Sequence, residues 1–249
     1  PYVTSYYNKT WGFCLSESEK SSLPDGKYKV YINSKFTKGN LHLSHALIRG
    51  KSNKEIFFSS YLCHPSMANN ELSGPAVLNE FLRFLKSKKK LNYSYRFVLL
   101  PETIGSICYL SKFYKTLKKN IVAGYNLSCL GDSRAYSFVK TPSEKTLADL
   151  SIKAALIGKK NVKEYNFNHR GSDERQYCSS NIDLPVVNFS RSKFGTFKEY
   201  HTNLDNLNII SQKNLLDSCE VLKNITYIFE NCLYPKSKIK CEPFLSSRN

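Results

Sequence analysis

The chain has 249 residues, 41% hydrophobic and 23% charged, and its 37 Lys and Arg against 20 Asp and Glu give a formal charge of +17. That length and apolar content suit one large globular domain, or one carrying a small insertion, and exclude a membrane span, since no run approaches the roughly 20 apolar residues needed. The charge invites a nucleic-acid partner, but the lysines are scattered among Asn, Tyr and Ile and form no basic stripe, which argues against one.

Pro1 to Tyr7 lack the basic start and apolar middle of a signal peptide, and the absence of an initiator Met reads as a piece of something longer. Eight cysteines occur without a CxxC pair. Cys63, Cys108, Cys129 and Cys219 fall in apolar runs and read as small core residues, which points to a reducing cytoplasm.

In chain order, 28–34 alternates like a half-buried strand, and 41–49, bracketed by Gly39 and Gly50, reads as another. With the aromatic N-terminus they suggest a small β-rich unit over 1–50. A continuous apolar run from Glu55 to Leu62 reads as a buried parallel strand ending at Cys63-His64-Pro65. Leu72 to Leu85 has helical spacing. Tyr95 to Leu100 is a strand and 104–118 a helix; Ile121 to Leu130 is a third strand. Pro142-Ser143-Glu144 opens a helix to Ile157, Leu184 to Phe189 is a strand, and Ser211 to Cys232 a long helix. The alternation over 51–234 predicts an α/β domain, a mostly parallel sheet flanked by helices, with 235–249 as a linker towards a further domain.

In such folds ligands sit at the carboxyl ends of the strands, where five polar clusters fall. The first runs from Cys63 to Gly74: His64 and Glu71 suit zinc, or equally a His bonded into a capped turn. Glu102 is a ligand, a general base, or a charge in a first helical turn. Asp132 binds metal or makes an Asx turn, the commoner outcome. His169 to Gln176 is a solvated loop or an ion-pair network, structural or around a substrate. His201 supplies a second imidazole that Asp205 is placed to orient.

These residues carry a resemblance. His64, the turn Ala68-Asn69-Asn70-Glu71-Leu72-Ser73-Gly74, Gly171-Ser172-Asp173 and His201-Thr202 with Asp205-Asn206-Leu207 occur in that order. The chain resembles the co-catalytic zinc aminopeptidases and their glutaminyl-cyclase relatives. It is nearest a bacterial branch of aminopeptidase-like proteins often encoded beside surface-polysaccharide genes. Cys63-His64-Pro65-Ser66, Pro101-Glu102-Thr103-Ile104-Gly105-Ser106 and Arg170-Gly171-Ser172-Asp173-Glu174-Arg175-Gln176 all look like that branch.

The resemblance implies a metal centre around His64 and His201, with Glu71 and Asp132 as further ligands. Glu102 and Glu174 are implied as catalytic carboxylates, and Asn70, Arg170, Asp173, Arg191 and Asp205 as substrate-binding residues. It departs from the family where a bridging Asp is replaced by Asn70, where a second glutamate is replaced by Thr103, and where a third-strand Asp aligns with Ser128. One zinc ion is therefore expected rather than two. The implied activity is hydrolysis of a small peptide, aminoacyl or acyl-amide substrate, with a homo-oligomer compatible. The competing expectation is a degenerate fold that binds a ligand without turnover.

Overall fold

A computed structural model describes residues 8–35, 37–64, 66–232 and 240–241. Seven strands form one sheet in the order β1-β3-β2-β4-β7-β5-β6. Its centre is the parallel set β2 (Glu55–Tyr61), β3 (Ser94–Leu100), β4 (Ile121–Leu127) and β7 (Val186–Ser190). The edge strand β1 (Ser44–Ile48) runs antiparallel to β3. Strand β5 (Tyr136–Val139) runs antiparallel to β7 and pairs in parallel with β6 (Val162–Tyr165).

Every residue of β2 is buried, as a strand covered on both faces requires. Its side chains alternate between two cores. Ile56 and Phe58 pack with α2 (Ser73–Lys86), α4 (Leu147–Ala155) and α6 (Gln212–Asn231), through Val77, Phe81, Ile152, Leu222 and Phe229. Phe57 packs on the opposite face with Tyr109, Leu110 and Leu117 of α3 (Ile104–Asn120) and Tyr177 of α5 (Glu174–Tyr177). Each fully buried side chain of this size contributes about 1.5–3 kcal/mol, so this three-layer packing sets the strand ends rigidly.

The structure departs from the sequence reading in four places. Residues 28–34 form no strand and are exposed; among the described residues 8–43 the regular element is α1 (Glu17–Ser22). The strand read over 41–49 narrows to β1 and joins the main sheet. Helix α4 begins at Leu147, where Thr146 and Asp149 make a reciprocal capping box, and not at Pro142. Cys63 and Cys108 are exposed, whereas Cys129 and Cys219 are buried. Apart from residues 240–241, the tail read as a linker lies outside the described residues. No described helix is long and apolar enough to cross a membrane.

Between β2 and α2 the chain makes a π-helical turn, Ala68–Leu72, a form that often marks functional sites. Its entry to α2 is tight: a Cβ on Gly74 would meet Ser60 Oγ and lie 3.0 Å from the Leu127 carbonyl oxygen. Only glycine lets the helix start this close to β2 and β4.

Candidate functional site

The carboxyl ends of β2, β3 and β4 meet the loops 171–174 and 199–205. Beyond β2, His64 Nδ1 lies 3.1 Å from Glu71 Oε2 and 3.2 Å from Cys63 Sγ. Glu71 Oε1 also accepts the Cys63 backbone N–H. One ligand atom from each of Cys63, His64 and Glu71 lies within 4.8 Å of the other two. Contact with Cys63, then with Glu71, raises the His64 pKa to about 10. The His201 ring faces His64 with centroids 5.3 Å apart and stacks on Tyr200 at 3.9 Å. Burial, then the His64 charge, lowers the His201 pKa, and the charge of Asp205 acts in the opposite direction. A cavity of about 570 Å³ opens on the His201 side, lined by Ser66, Met67 and residues 202–204 together with 14–17 and Glu19.

Three of the six described non-glycine residues with positive φ lie at these strand ends and loops. Thr103, Cys129 and His201 have φ of 64°, 52° and 54°, a left-handed conformation costing non-glycine residues about 1–3 kcal/mol. For Thr103 the restraint is visible. Asp173 Oδ1 accepts the Thr103 N–H and the Ser106 hydroxyl, both at 2.7 Å. The adjacent Ser172 donates to Glu102 Oε1 at 2.6 Å. Glu174 in turn accepts the N–H groups of Gly171 and Ser172 at 2.8 and 3.1 Å and the Asn126 amide at 3.2 Å. The loop around Ser172 thus grips Glu102-Thr103 through hydrogen bonds, and the ion-pair network read for 169–176 is replaced by this arrangement. Burial raises the pKa of Glu102, opposed by the Ser172 hydrogen bond. Burial likewise raises that of Asp173, to about 7.

Other expected residues lie elsewhere or do other work. Asp132 makes the Asx turn: its oxygens accept from Arg134 N (2.9 Å), Ser192 N (3.1 Å), Ser192 Oγ (2.7 Å) and Asn69 Nδ2 (3.0 Å). These contacts make it a clamp between the π-turn and residues 134 and 192, outside the Cys63–His64–Glu71 group. Asp205 takes the N–H groups of Asn69 and Asn70 at 2.6 and 2.9 Å, so it caps the π-turn from a distant segment. Arg170 is exposed and lies over the Phe167 ring at 4.8 Å. Arg191 is buried, 3.9 Å above the Tyr136 ring, with Nε and Nη1 unpartnered. Asn70 is buried with its Nδ2 unpartnered. Cys63 was hidden from sequence reasoning by its apolar neighbours; the usable signal was its place two residues beyond the end of β2.

The donor set fits one zinc ion. A tetrahedral ion with bonds of about 2.0–2.3 Å spaces its ligands roughly 3.3–3.7 Å apart, close to the separations around His64. Among the described residues this is the one group of three such ligand atoms gathered together. The Asn70 oxygen accepts from Tyr61 Oη at 2.8 Å and Cys129 Sγ at 3.7 Å, Ser128 Oγ takes the Asn188 amide at 3.3 Å, and Thr103 Oγ1 takes Arg175 Nη2 at 3.2 Å. All three positions where the resemblance expects a carboxylate are spent on protein partners.

Residues 19–232 match the family model described as Domain of unknown function (DUF4910), and residues 1–35 match a second, Domain of unknown function (DUF2172). A Clostridium acetobutylicum protein named for polysaccharide biosynthesis and an aminopeptidase-like domain is 40% identical over 252 residues, covering 100% of this chain and 57% of its own length. A crystal structure titled as a peptidase from the same organism superposes with a TM-score of 0.87 at 38% identity, over 100% of this chain and 59% of that one. A zinc aminopeptidase from Bacillus subtilis superposes with a TM-score of 0.63 at 19% identity, over 74% of this chain and 48% of that one, a likeness of fold. The chain spans under three-fifths of the length of its Clostridium relative.

Proposed function

The chain belongs to the DUF4910 family and has the aminopeptidase-like fold, and on that footing we propose that it is a metal-dependent amide or peptide hydrolase working with one zinc ion. The observation that carries this reading is the meeting of His64, Glu71 and His201 beyond β2 with a half-buried, restrained Glu102 beyond the neighbouring β3. His64, Glu71 and His201 would hold the ion, which would supply Lewis acidity at the substrate carbonyl. Glu102 would take a proton from the attacking water and return it to the leaving amine. A carboxyl whose pKa is raised by burial suits both halves of that transfer. Ser172 fixes one Glu102 oxygen, and Glu174 fixes Ser172, which makes Glu174 a positioning residue. The unpartnered amide of Asn70 is a donor for a substrate carbonyl, and the unspent nitrogens of Arg191 suit a substrate carboxylate. The relative's name supports a substrate from polysaccharide assembly, such as an acylated amino group on a sugar.

One observation favours a second reading, a fold that binds its ligand without turnover: Asn70, Thr103 and Ser128 stand where the resemblance expects carboxylates. Elemental analysis of the full-length protein, purified without chelator, separates the two when joined to assays on aminoacyl and acyl-amide substrates. The hydrolase reading expects about one zinc per chain. It also expects zinc loss in His64→Ala and His201→Ala, and in Glu102→Gln a rate drop of about 10²–10⁴-fold with zinc retained. Zinc without turnover of any such substrate selects the second reading. No zinc, even after incubation with excess ion, sinks the hydrolase.

A further inference from the structure

We propose that Cys63 is a thiolate ligand of this centre, added to His64, Glu71 and His201, so that the ion's ligand set is no longer all nitrogen and oxygen. The inference rests on the reading of the site as metal-bearing and names a ligand which that reading lacks.

Two arrangements of Cys, His and Glu are chemically meaningful, and the geometry separates them. In a nucleophilic pair the imidazole uses one nitrogen for the sulfur and turns the other towards an orienting group. Here Cys63 Sγ and Glu71 Oε2 both approach the same nitrogen, Nδ1, at 3.2 and 3.1 Å. The three ligand atoms therefore lie within 4.8 Å of one another, close enough to face a single cation.

The sulfur is held in place and open to solvent. The Glu102 backbone N–H donates to Cys63 Sγ at 3.3 Å, which fixes the sulfur beside the imidazole. Glu71 Oε1 holds the Cys63 N–H, so the same carboxylate that reaches the imidazole also fixes the backbone of the cysteine. Cys63 is exposed, open to an arriving ion, unlike the buried Cys129. A charge argument points the same way. Asn70 brings no negative charge and its oxygen is occupied, so one thiolate restores what the turn lacks. On binding, the thiol proton and the proton on Nδ1 leave to solvent. A sulfur ligand also biases the site towards zinc and cobalt and away from magnesium, calcium and manganese.

Cobalt(II) titration of the full-length protein tests this without any assay of activity. The expected result is an intense near-ultraviolet thiolate-to-cobalt charge-transfer band. Cys63→Ser and Cys63→Ala should both remove it while the weaker visible bands of bound cobalt persist. Zinc affinity, read by competition with a chromophoric chelator, should fall in both variants by more than the roughly 10–100-fold that losing an outer hydrogen-bond partner costs. Visible cobalt bands in wild type without charge transfer, or a charge-transfer band that survives both variants, would overturn the Cys63 assignment and leave the hydrolase reading standing. No binding of cobalt or zinc by the wild type would overturn both.

Discussion

Two clusters flank the π-turn, one around His64 and Glu71, the other around Asp132 and Asp205, and both place carboxylates at strand ends. Their hydrogen-bond partners differ in kind. Asp132 and Asp205 together accept from Arg134 N, both Ser192 groups, the Asn69 amide, and the N–H groups of Asn69 and Asn70. The oxygens of Glu71 meet one backbone N–H and an imidazole that can give up its proton. A carboxylate committed to fixed buried donors is a structural clamp, and removing it orphans those groups. One facing exchangeable protons can trade them for a metal. Position at a strand end nominates a ligand, whereas the nature of its donors, fixed backbone and amide N–H groups or an exchangeable imidazole proton, separates clamp from candidate ligand.

The sharpest way to break the comparison is to delete both kinds of carboxylate. Asp132→Ala and Asp205→Ala should each cost about 3–5 kcal/mol in urea unfolding of the metal-free protein, because buried N–H donors lose their only strong acceptor. Glu71→Gln keeps an acceptor for the Cys63 N–H and should cost at most about 1 kcal/mol in the same experiment. The same Glu71 variant should abolish near-stoichiometric zinc in elemental analysis. A destabilised Glu71→Gln, or an Asp132→Ala that stays stable but loses zinc, would reverse the assignment of the two clusters.

How far the sequence carried depends on the same physics. Strands β2, β3 and β4 and helices α2, α3 and α6 were legible because each is long and buried through a clear period. Strands β5 and β6 are four residues each, and Val162–Tyr165 is largely exposed, so neither has a periodic signature. The opposite error arose at 28–34, where Tyr28, Val30 and Ile32 alternate with polar residues but stay exposed. Alternation describes what a strand needs and does not supply a partner. Within the site, residue type and place nominated His64, Glu71, Glu102 and His201, and the fold brings the first two and His201 together beyond β2. The clamp role of Asp132 and Asp205 was not, because the donors that saturate them come from Ser192, Arg134 and the π-turn, as far as 136 residues away. Cys63 was missed for the converse reason: an apolar neighbourhood in sequence ended two residues before it in space.

Asp173 falls between the two clusters and gives the finest test. Its Oδ1 takes two donors, while its buried Oδ2 has none. Half-satisfied in this way, the carboxyl is held at about 7 in the folded protein, chiefly by burial, against an ordinary value of 3.8. A folded pKa above the unfolded one means that the native state binds the proton more tightly. Its contribution to stability is therefore complete below pH 3.8 and is lost as pH rises through about 7. Asp173→Asn retains a carbonyl oxygen for Thr103 and Ser106 and removes the titration. The difference in urea midpoint between wild type and this variant should drift against wild type between pH 5 and pH 7.5, as native Asp173 is forced to ionise. A difference that is flat across this interval would mean that Oδ2 is satisfied in solution, and would move Asp173 into the class of Asp132 and Asp205.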